Sequence, residues 1–204
     1  QTVTLYYFKY NLGREDLVAL FFGITLPVMF LGLLAVPKLA ASFGKAGGIV
    51  VGAVITIIGS IGLYFTSYDA ITWIFIWGGV VALGGTPIAV LGWAMIPDTV
   101  EYAQWKMGLR ADGAIFSFAS FFQKLAKAIG GAGVAGILAF SGYVANTEQT
   151  ASSLAAIHVL MTLAPVGIML IMIIAARYYQ LDESTHTRIV RALADSALEE
   201  SDTA

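Results

Sequence analysis

The sequence contains no cysteine and only two histidines. Without thiols the chain has no disulfide, no thiolate metal site and no cysteine nucleophile. Charge is also scarce, because charged residues make up 12% of the 204 residues, against about 25% in soluble domains. A net charge of −2 gives no basic footprint for nucleic acid. We therefore expect no metal centre, no cofactor, no enzyme chemistry based on thiols or metals, and no nucleic-acid partner.

Apolar residues are abundant, at 58% of the sequence with a mean hydropathy of +0.82. A helix of about 20 apolar residues crosses a bilayer, and lipid forces the backbone to satisfy its own hydrogen bonds. The sequence therefore predicts an all-α membrane protein in which residues 1–180 form a transmembrane bundle. Residues 181–204 are predicted to form an amphipathic tail on the cytoplasmic membrane surface, with a frayed terminus as the alternative. The predicted spans are about 17–36, 47–67, 70–96, 113–140 and 154–176.

Basic residues indicate the orientation of the bundle, since Lys and Arg favour the cytoplasmic side. Lys38 and Lys45 follow the first span, and Lys106 and Arg110 follow the third. The connections after the second and fourth spans carry neither Lys nor Arg, and the basic residues before the first span are the one exception. This pattern predicts a cytoplasmic C-terminus. The opening run QTVTLYYFKYNLG has the character of the end of a further helix, so we interpret the chain as a fragment or truncated product.

Two lysines, Lys124 and Lys127, lie near the middle of the fourth predicted span. A cation at that depth costs about 2.5–3.5 kcal/mol or more unless it faces protein or water. On a helical wheel Ser120 joins both lysines in a polar stripe with Gln123 at its edge, and the opposite face is aromatic. The stripe predicts a helix that lines a substrate or cation cavity. The alternative is a lysine–carboxylate pair that only locks helices together, and the role of Lys127 stays open because adjacent lysines repel.

The third predicted span offers a further cavity residue, Trp93. Its indole can stack on a sugar face and donate one hydrogen bond, although helix packing is the simpler interpretation. Pro87 is expected to kink this span, and interrupted helices often line transporter cavities. His158, near the outer end of the last span, is interpreted as an interfacial side chain rather than a proton relay.

Small residues recur within the predicted spans. Gly48 and Gly52 form a small-xxx-small pair, and a second glycine cluster occupies 130–136. Such residues let membrane helices approach closely, so we interpret both groups as packing sites, with flexing of a moving helix as the alternative.

Charge is densest in PDTVEYAQWKMGLRADG, which follows the third span. Asp98 and Glu101 share one face if the helix continues through them, and Arg110 lies beyond. One interpretation is a solvated turn. The other is a cytoplasmic gate, in which these charges pair with charges on a partner half and separate during transport.

The run MIPDTVEYAQWKMGLRADGAIFSFASFFQKLAKAIGG, followed by GYVANTEQT, resembles the glycoside–pentoside–hexuronide:cation symporters of the major facilitator superfamily, which include melibiose permease. The resemblance covers the C-terminal half of a twelve-helix fold, a six-helix bundle with five complete spans plus the end of the seventh helix. It implies a sugar symporter of the bacterial inner membrane, driven by Na⁺, H⁺ or Li⁺. It also implies that Lys124 lies near the sugar and cation sites, and that Asp98, Glu101 and Arg110 take part in cytoplasmic closure.

The expected function is therefore coupled sugar uptake by alternating access, not enzyme catalysis. The expected partners are the sugar, the lipid bilayer and an N-terminal six-helix half that holds most of the cation site. A facilitator for a non-sugar solute and a structural membrane subunit without transport activity are the alternatives.

Overall fold

The computed structural model describes residues 2–179, 185–193 and 195. A short helix, α1, continues into a π-helical turn at Tyr7–Asn11. A further helix at 185–193, α6, follows the last long helix. The helices of the bundle are α1 Thr2–Tyr6, α2 Leu17–Phe65, α3 Ile71–Met107, α4 Asp112–Phe140 and α5 Ala151–Arg177.

The 49 residues of α2 do not form one straight helix, because Gly44 has φ 70° and ψ 172°. A positive φ carries little steric cost only for glycine, so the helical run breaks there. As one straight helix its 49 residues would extend about 74 Å at 1.5 Å per residue, more than twice the ~30 Å hydrocarbon core, whereas the break divides it into two segments. The predicted spans 17–36 and 47–67 lie on either side of the break, and the residues between them are helical rather than a loop.

Three helices, α2, α3 and α5, are long and apolar enough to cross a membrane. The predicted fourth span, 113–140, coincides in position with α4. However, α4, which carries Lys124 and Lys127 near its middle, is not one of these three helices. That α4 crosses the membrane stays a prediction.

Most of the charged run that follows the third predicted span is helical, because α3 continues to Met107. It ends where Gly108 adopts a left-handed conformation with φ 66° and donates its amide to the Gln104 carbonyl at 2.8 Å. Only Gly108–Ala111 then connect α3 to α4. Asp98 and Glu101 are therefore fixed on a helix rather than on a mobile turn.

The bundle has two ends, named here after residues that lie there. At the Tyr7 end, α2 begins and finishes, α3 and α5 begin and α4 finishes. At the Lys45 end, α2 breaks, α3 and α5 finish and α4 begins. The main core cluster includes Tyr7, Phe8, Ile74 and Ile157, all fully buried.

The α2–α3 contact is the tightest of the bundle. A Cβ at Gly52 would lie 2.6 Å from the Gly84 carbonyl oxygen, and one at Gly48 would lie 2.5 Å from Leu91 Cδ1. The predicted packing role of Gly48 and Gly52 is therefore confirmed. Apolar side chains also cover the outside of the bundle, with Leu34 exposed by 73% and Phe65 by 80%. A surface of this kind matches a lipid solvent rather than water.

Candidate substrate cavity and gate

The middle of α4 is uncovered on two sides. Lys124, Lys127 and Gln123 are exposed and Ser120 is half-buried. Within the described residues neither lysine has an ion pair or a hydrogen bond. The aromatic face is equally open, because Phe118 is 65% exposed. The sequence-predicted stripe thus exists on one helix, but this chain supplies no wall opposite it.

Trp93 and Gln123 line one shallow cleft between α3 and α4, with a volume of about 290 Å³. Its floor is made by small and aliphatic residues, including Gly92 and Ala119. The indole and the carboxamide offer hydrogen-bonding groups on an otherwise apolar surface, which is the composition expected of a ligand pocket. The structure therefore brings together two of the five predicted cavity residues.

Lys127 belongs to a different cleft, of about 610 Å³, between α1 and α4. Thr2 and Tyr6 line its α1 side. Gly130 and Gly131, which have no side chains, line its α4 side. Apart from the nearby backbone of α4 itself, no atom of the described residues lies within 4 Å of a Cβ placed at either glycine. The predicted packing of the 130–136 glycines is therefore not seen against the described residues, and these glycines widen a groove beside a lysine.

At the Lys45 end, Asp98 is 5% exposed and is held by Lys45. Lys45 Nζ lies 2.7 Å from Asp98 Oδ1 and 2.6 Å from Oδ2, so one ammonium group bridges both oxygens. A buried carboxylate needs such a partner, because an unpaired charge in a low dielectric is costly. Sequence reasoning missed this pair, since 53 residues separate its members and no local spacing relates them.

The helix α6 docks on the same carboxylates. His186 Nε2 lies 2.5 Å from Glu101 Oε2 and 3.5 Å from Asp98 Oδ1. Ile189, one turn further along α6, is fully buried. One face of α6 is thus packed on the bundle, and its predicted position along the cytoplasmic membrane surface stays a prediction. The remainder of the predicted 181–204 tail lies outside the described residues.

Tyr179, which follows α5, is affected electrostatically by this cluster. Burial, together with the negative charge of Asp98, raises the pKa of Tyr179 to about 12. The physical cause is that a phenolate there would be poorly solvated and would face a carboxylate.

The predicted gate residues find partners within this chain. We expected Asp98, Glu101 and Arg110 to pair with charges on a partner half. That pairing with a partner half stays a prediction; within this chain Asp98 pairs with Lys45, Glu101 with His186, and Arg110 with its neighbour Asp112 at 2.9 Å. The Arg110–Asp112 pair is exposed on both sides, so it contributes little stability.

At the Tyr7 end, polar contacts tie the π-helical turn to the connection between α4 and α5. Lys9 Nζ donates to Asn146 Oδ1 at 3.0 Å, and Tyr143 Oη donates to Tyr10 Oη at 3.1 Å. Burial and this hydrogen bond raise the pKa of the Tyr143 hydroxyl. His158 is half-buried rather than solvated, and its Nε2 lies 3.2 Å from the Tyr64 carbonyl oxygen.

Comparison with known proteins places this arrangement in a family. Residues 1–183 match the family of MFS/sugar transport proteins. An uncharacterized symporter of Bacillus subtilis is 34% identical over 94% of this chain and 42% of its own length. An isoprimeverose transporter of Lactiplantibacillus pentosus is 33% identical over 89% of the chain and 38% of its own length. A glucuronide carrier protein homolog of Escherichia coli is 33% identical over 92% and 41%.

The chain therefore spans about two fifths of the length of these curated relatives. The family consists of transporters, which agrees with the expectation that this is not an enzyme. Apolar helices long enough to span a bilayer and bacterial relatives make it an integral protein of a bacterial membrane. The motif-based resemblance to the family that includes melibiose permease is confirmed, and the chain belongs to the sugar transport proteins of the major facilitator superfamily.

Proposed function

We propose that this chain is the C-terminal six-helix half of a secondary active transporter that couples sugar uptake to a Na⁺ or H⁺ gradient by alternating access. The observation that carries the proposal is the uncovered polar stripe of α4, with Lys124 and Lys127 lacking partners in the described part of the chain. Intramembrane lysines face protein or water. A second bundle opposite α4 would turn this open surface into a two-sided cavity, as alternating access requires.

The other half has two tasks in this proposal. It supplies the wall that faces the Trp93–Gln123 cleft, and it supplies most of the cation site. The described spans support this division, because the only carboxylate of α3 that is buried, Asp98, already pairs with Lys45 at the far end of the bundle. The coupling cation would bind to oxygens contributed mainly by the partner half, with Lys124 near the shared site.

The cluster at the Lys45 end serves as the gate. Contacts among Lys45, Asp98, Glu101 and His186 join α2, α3 and α6. Exposed Arg110 lies on the α3–α4 connection, at the same end of the bundle. The basic residues of the sequence favour the cytoplasm for this end, which supports a cytoplasmic C-terminus in this proposal. Arg110 pairs weakly with Asp112 in this state, which leaves it free to exchange that partner for one on the other half.

The solute is proposed to be an anionic sugar. Two unpaired lysines one turn apart repel each other, and a carboxylate or sulfonate on the solute relieves that repulsion. The names of two relatives fit this reading, since one is a glucuronide carrier protein homolog and another, at 30% identity, is a putative sulfoquinovose importer of Escherichia coli.

The alternatives are a carrier for a non-sugar solute and a structural membrane subunit. A non-sugar solute has support in a relative 27% identical, a putative 2,3-dihydroxypropane-1-sulfonate exporter of Salmonella typhimurium. The features of α4 do not support a structural subunit, because a helix with only a structural role does not need two unpaired lysines.

The test is uptake of radiolabelled glycosides, uronides and sulfonated sugars by vesicles that contain the complete carrier. Lys124→Ala is expected to lower coupled uptake at least tenfold, because a charge-assisted hydrogen bond contributes about 1.5–3 kcal/mol. Lys38→Ala, which removes an exposed lysine of α2 far from the stripe, is the matched control. Unchanged uptake by the Lys124 variant, with normal membrane insertion, would remove Lys124 from the site. Uptake restricted to non-sugar solutes would overturn the sugar assignment.

A further inference from the structure

Among the buried polar atoms without a hydrogen-bond partner in the described residues, three belong to side chains at the Tyr7 end that contact one another directly or through Tyr68. Tyr7 Oη, Asn11 Oδ1 and His158 Nδ1 have essentially no solvent-accessible surface and no hydrogen bond to any described residue. Tyr7 itself is fully buried. Buried polar groups are almost always hydrogen-bonded, and each one that is not costs about 1–3 kcal/mol. Three such atoms in one place require an explanation.

The three side chains form one cluster with Tyr68. The Tyr7 and His158 rings lie 5.9 Å apart, and the Tyr68 ring lies 6.1 Å from Tyr7 and 5.5 Å from His158. Asn11 Nδ2 donates to the Leu154 carbonyl at 2.9 Å and lies 3.3 Å from Tyr68 Oη. Leu154 precedes His158 by one turn of α5, so Asn11 contacts the helix that carries His158 within one turn of that residue.

The hydrogen-bonding roles of the three atoms can be assigned. A carbonyl oxygen has no proton to give, so His158 Nε2 donates to Tyr64 O at 3.2 Å. In the neutral imidazole this leaves Nδ1 as an acceptor. The Asn11 amide uses Nδ2 as the donor, so Oδ1 is also an acceptor. The Tyr7 hydroxyl can donate. Two acceptors and one donor therefore remain.

We infer that this cluster binds one structural water molecule that bridges the π-helical turn to α5. Water donates two protons and accepts from a hydroxyl, which matches two acceptors and one donor. A buried water typically makes about three hydrogen bonds to otherwise unsatisfied groups. A metal cation is the poorer match, because it repels the Tyr7 proton and gains little from an amide and a single imidazole nitrogen. The site lies outside the proposed sugar cavity and does not depend on the proposed function.

The inference is tested by the change in melting temperature that Tyr7→Phe causes in the complete protein, because the two possibilities predict changes in opposite directions. If water bonds to Tyr7 Oη, removing the hydroxyl breaks that bond and lowers the melting temperature, by about 1–2 °C for a loss near 1 kcal/mol in a carrier more than twice as long as this chain. If the hydroxyl is truly unpaired, its removal relieves a buried polar group and raises the melting temperature. An unchanged or higher value would overturn the proposal.

Tyr64→Phe is the matched control, because its ring also lies beside His158, at 5.3 Å, while the side chain is 37% exposed. That variant is expected to leave the melting temperature unchanged. A density map at about 2 Å gives a second readout. Water is expected as a peak about 2.7–3.2 Å from Tyr7 Oη, Asn11 Oδ1 and His158 Nδ1. Direct bonds among these three atoms, or a peak at the shorter 2.3–2.6 Å typical of a metal cation, would contradict it.

Discussion

Lys45 and Asp98 are joined by a two-pronged ion pair, with Nζ 2.7 Å and 2.6 Å from the two carboxylate oxygens. Lys45 directly follows Gly44, the break in α2, and Asp98 lies within the last third of α3. The pair therefore links the break in α2 to α3, the helix that carries the proposed gate residues Asp98 and Glu101. Both side chains are mostly buried, since that of Asp98 is 7% exposed and that of Lys45 is 24% exposed.

Lys45→Met is expected to destabilise the protein by up to about 3 kcal/mol, because it leaves the Asp98 carboxylate buried without a bridging cation. Thermal unfolding in detergent, followed by tryptophan fluorescence, measures the loss. The double variant Lys45→Met with Asp98→Asn removes both charges and is expected to be more stable than the single variant. A double variant no better than Lys45→Met would show that the carboxylate is not the source of the cost.

The backbone contact between Gly52 and Gly84 gives a second prediction. A Cβ at position 84 would lie 2.6 Å from Gly52 O and 2.6 Å from Thr56 N, and backbone atoms cannot move aside cheaply. Gly84→Ala is expected to destabilise the bundle by about 1–3 kcal/mol through forced separation of α2 and α3. Gly85→Ala is the control, because nothing lies within 4 Å of its added Cβ. Equal melting temperatures for the two variants would contradict the close approach.

Much of the helical layout follows from the sequence, for a reason specific to membranes. Lipid gives the backbone no hydrogen-bond partner, so long apolar runs must be helices. The spans predicted from about residue 70 and residue 154 coincide with α3 and α5, although both helices extend beyond them. The helical stretch between the first two spans was not predicted, because Lys38 and Lys45 suggested a connection and the Gly44 break has no hydropathy signal.

The candidate sites were less predictable than the helices. A helical wheel places Lys124 and Lys127 on one stripe because that relation is local. The Lys45–Asp98 and His186–Glu101 pairs depend on how distant helices cross, so one sequence carries no pattern for them. The glycines show the same limit. Gly48 and Gly52 meet α3, whereas the equally glycine-rich 130–136 stretch meets no described neighbour.

His186 anchors α6, so its removal should release that helix. His186→Ala is expected to raise the rate of tryptic cleavage after Arg188 and Arg191 on the order of tenfold, because a hydrogen bond to a charged group contributes about 1.5–3 kcal/mol to closure. Val190→Ala, on the exposed face of α6, is the control and should be cleaved at the original rate. Cleavage of both variants at that rate would mean that His186 does not hold α6 in solution.

Lys127 provides the sharpest test of solute charge. Its ammonium group lies in the groove between α1 and α4, with Tyr6 and Thr2 on the facing side, and it lacks a carboxylate partner among the described residues. Repulsion from Lys124 one turn away makes this position costly unless an anion is present. In water-poor surroundings a charge pair at 4 Å is worth a few kcal/mol before the cost of desolvation, so a net contribution of roughly 1–2 kcal/mol is reasonable.

Lys127→Met should therefore lower kcat/KM for a glucuronide by about 5–30-fold relative to a neutral glycoside of similar size. Lys127→Arg keeps the charge and is the matched control, expected to retain the preference for the anion. Both solutes are measured in competition in the same vesicles, so that differences in protein insertion cancel in the ratio. An equal loss for the two solutes would assign Lys127 to the structure or the coupling of the carrier, and would overturn its role in recognising negative charge.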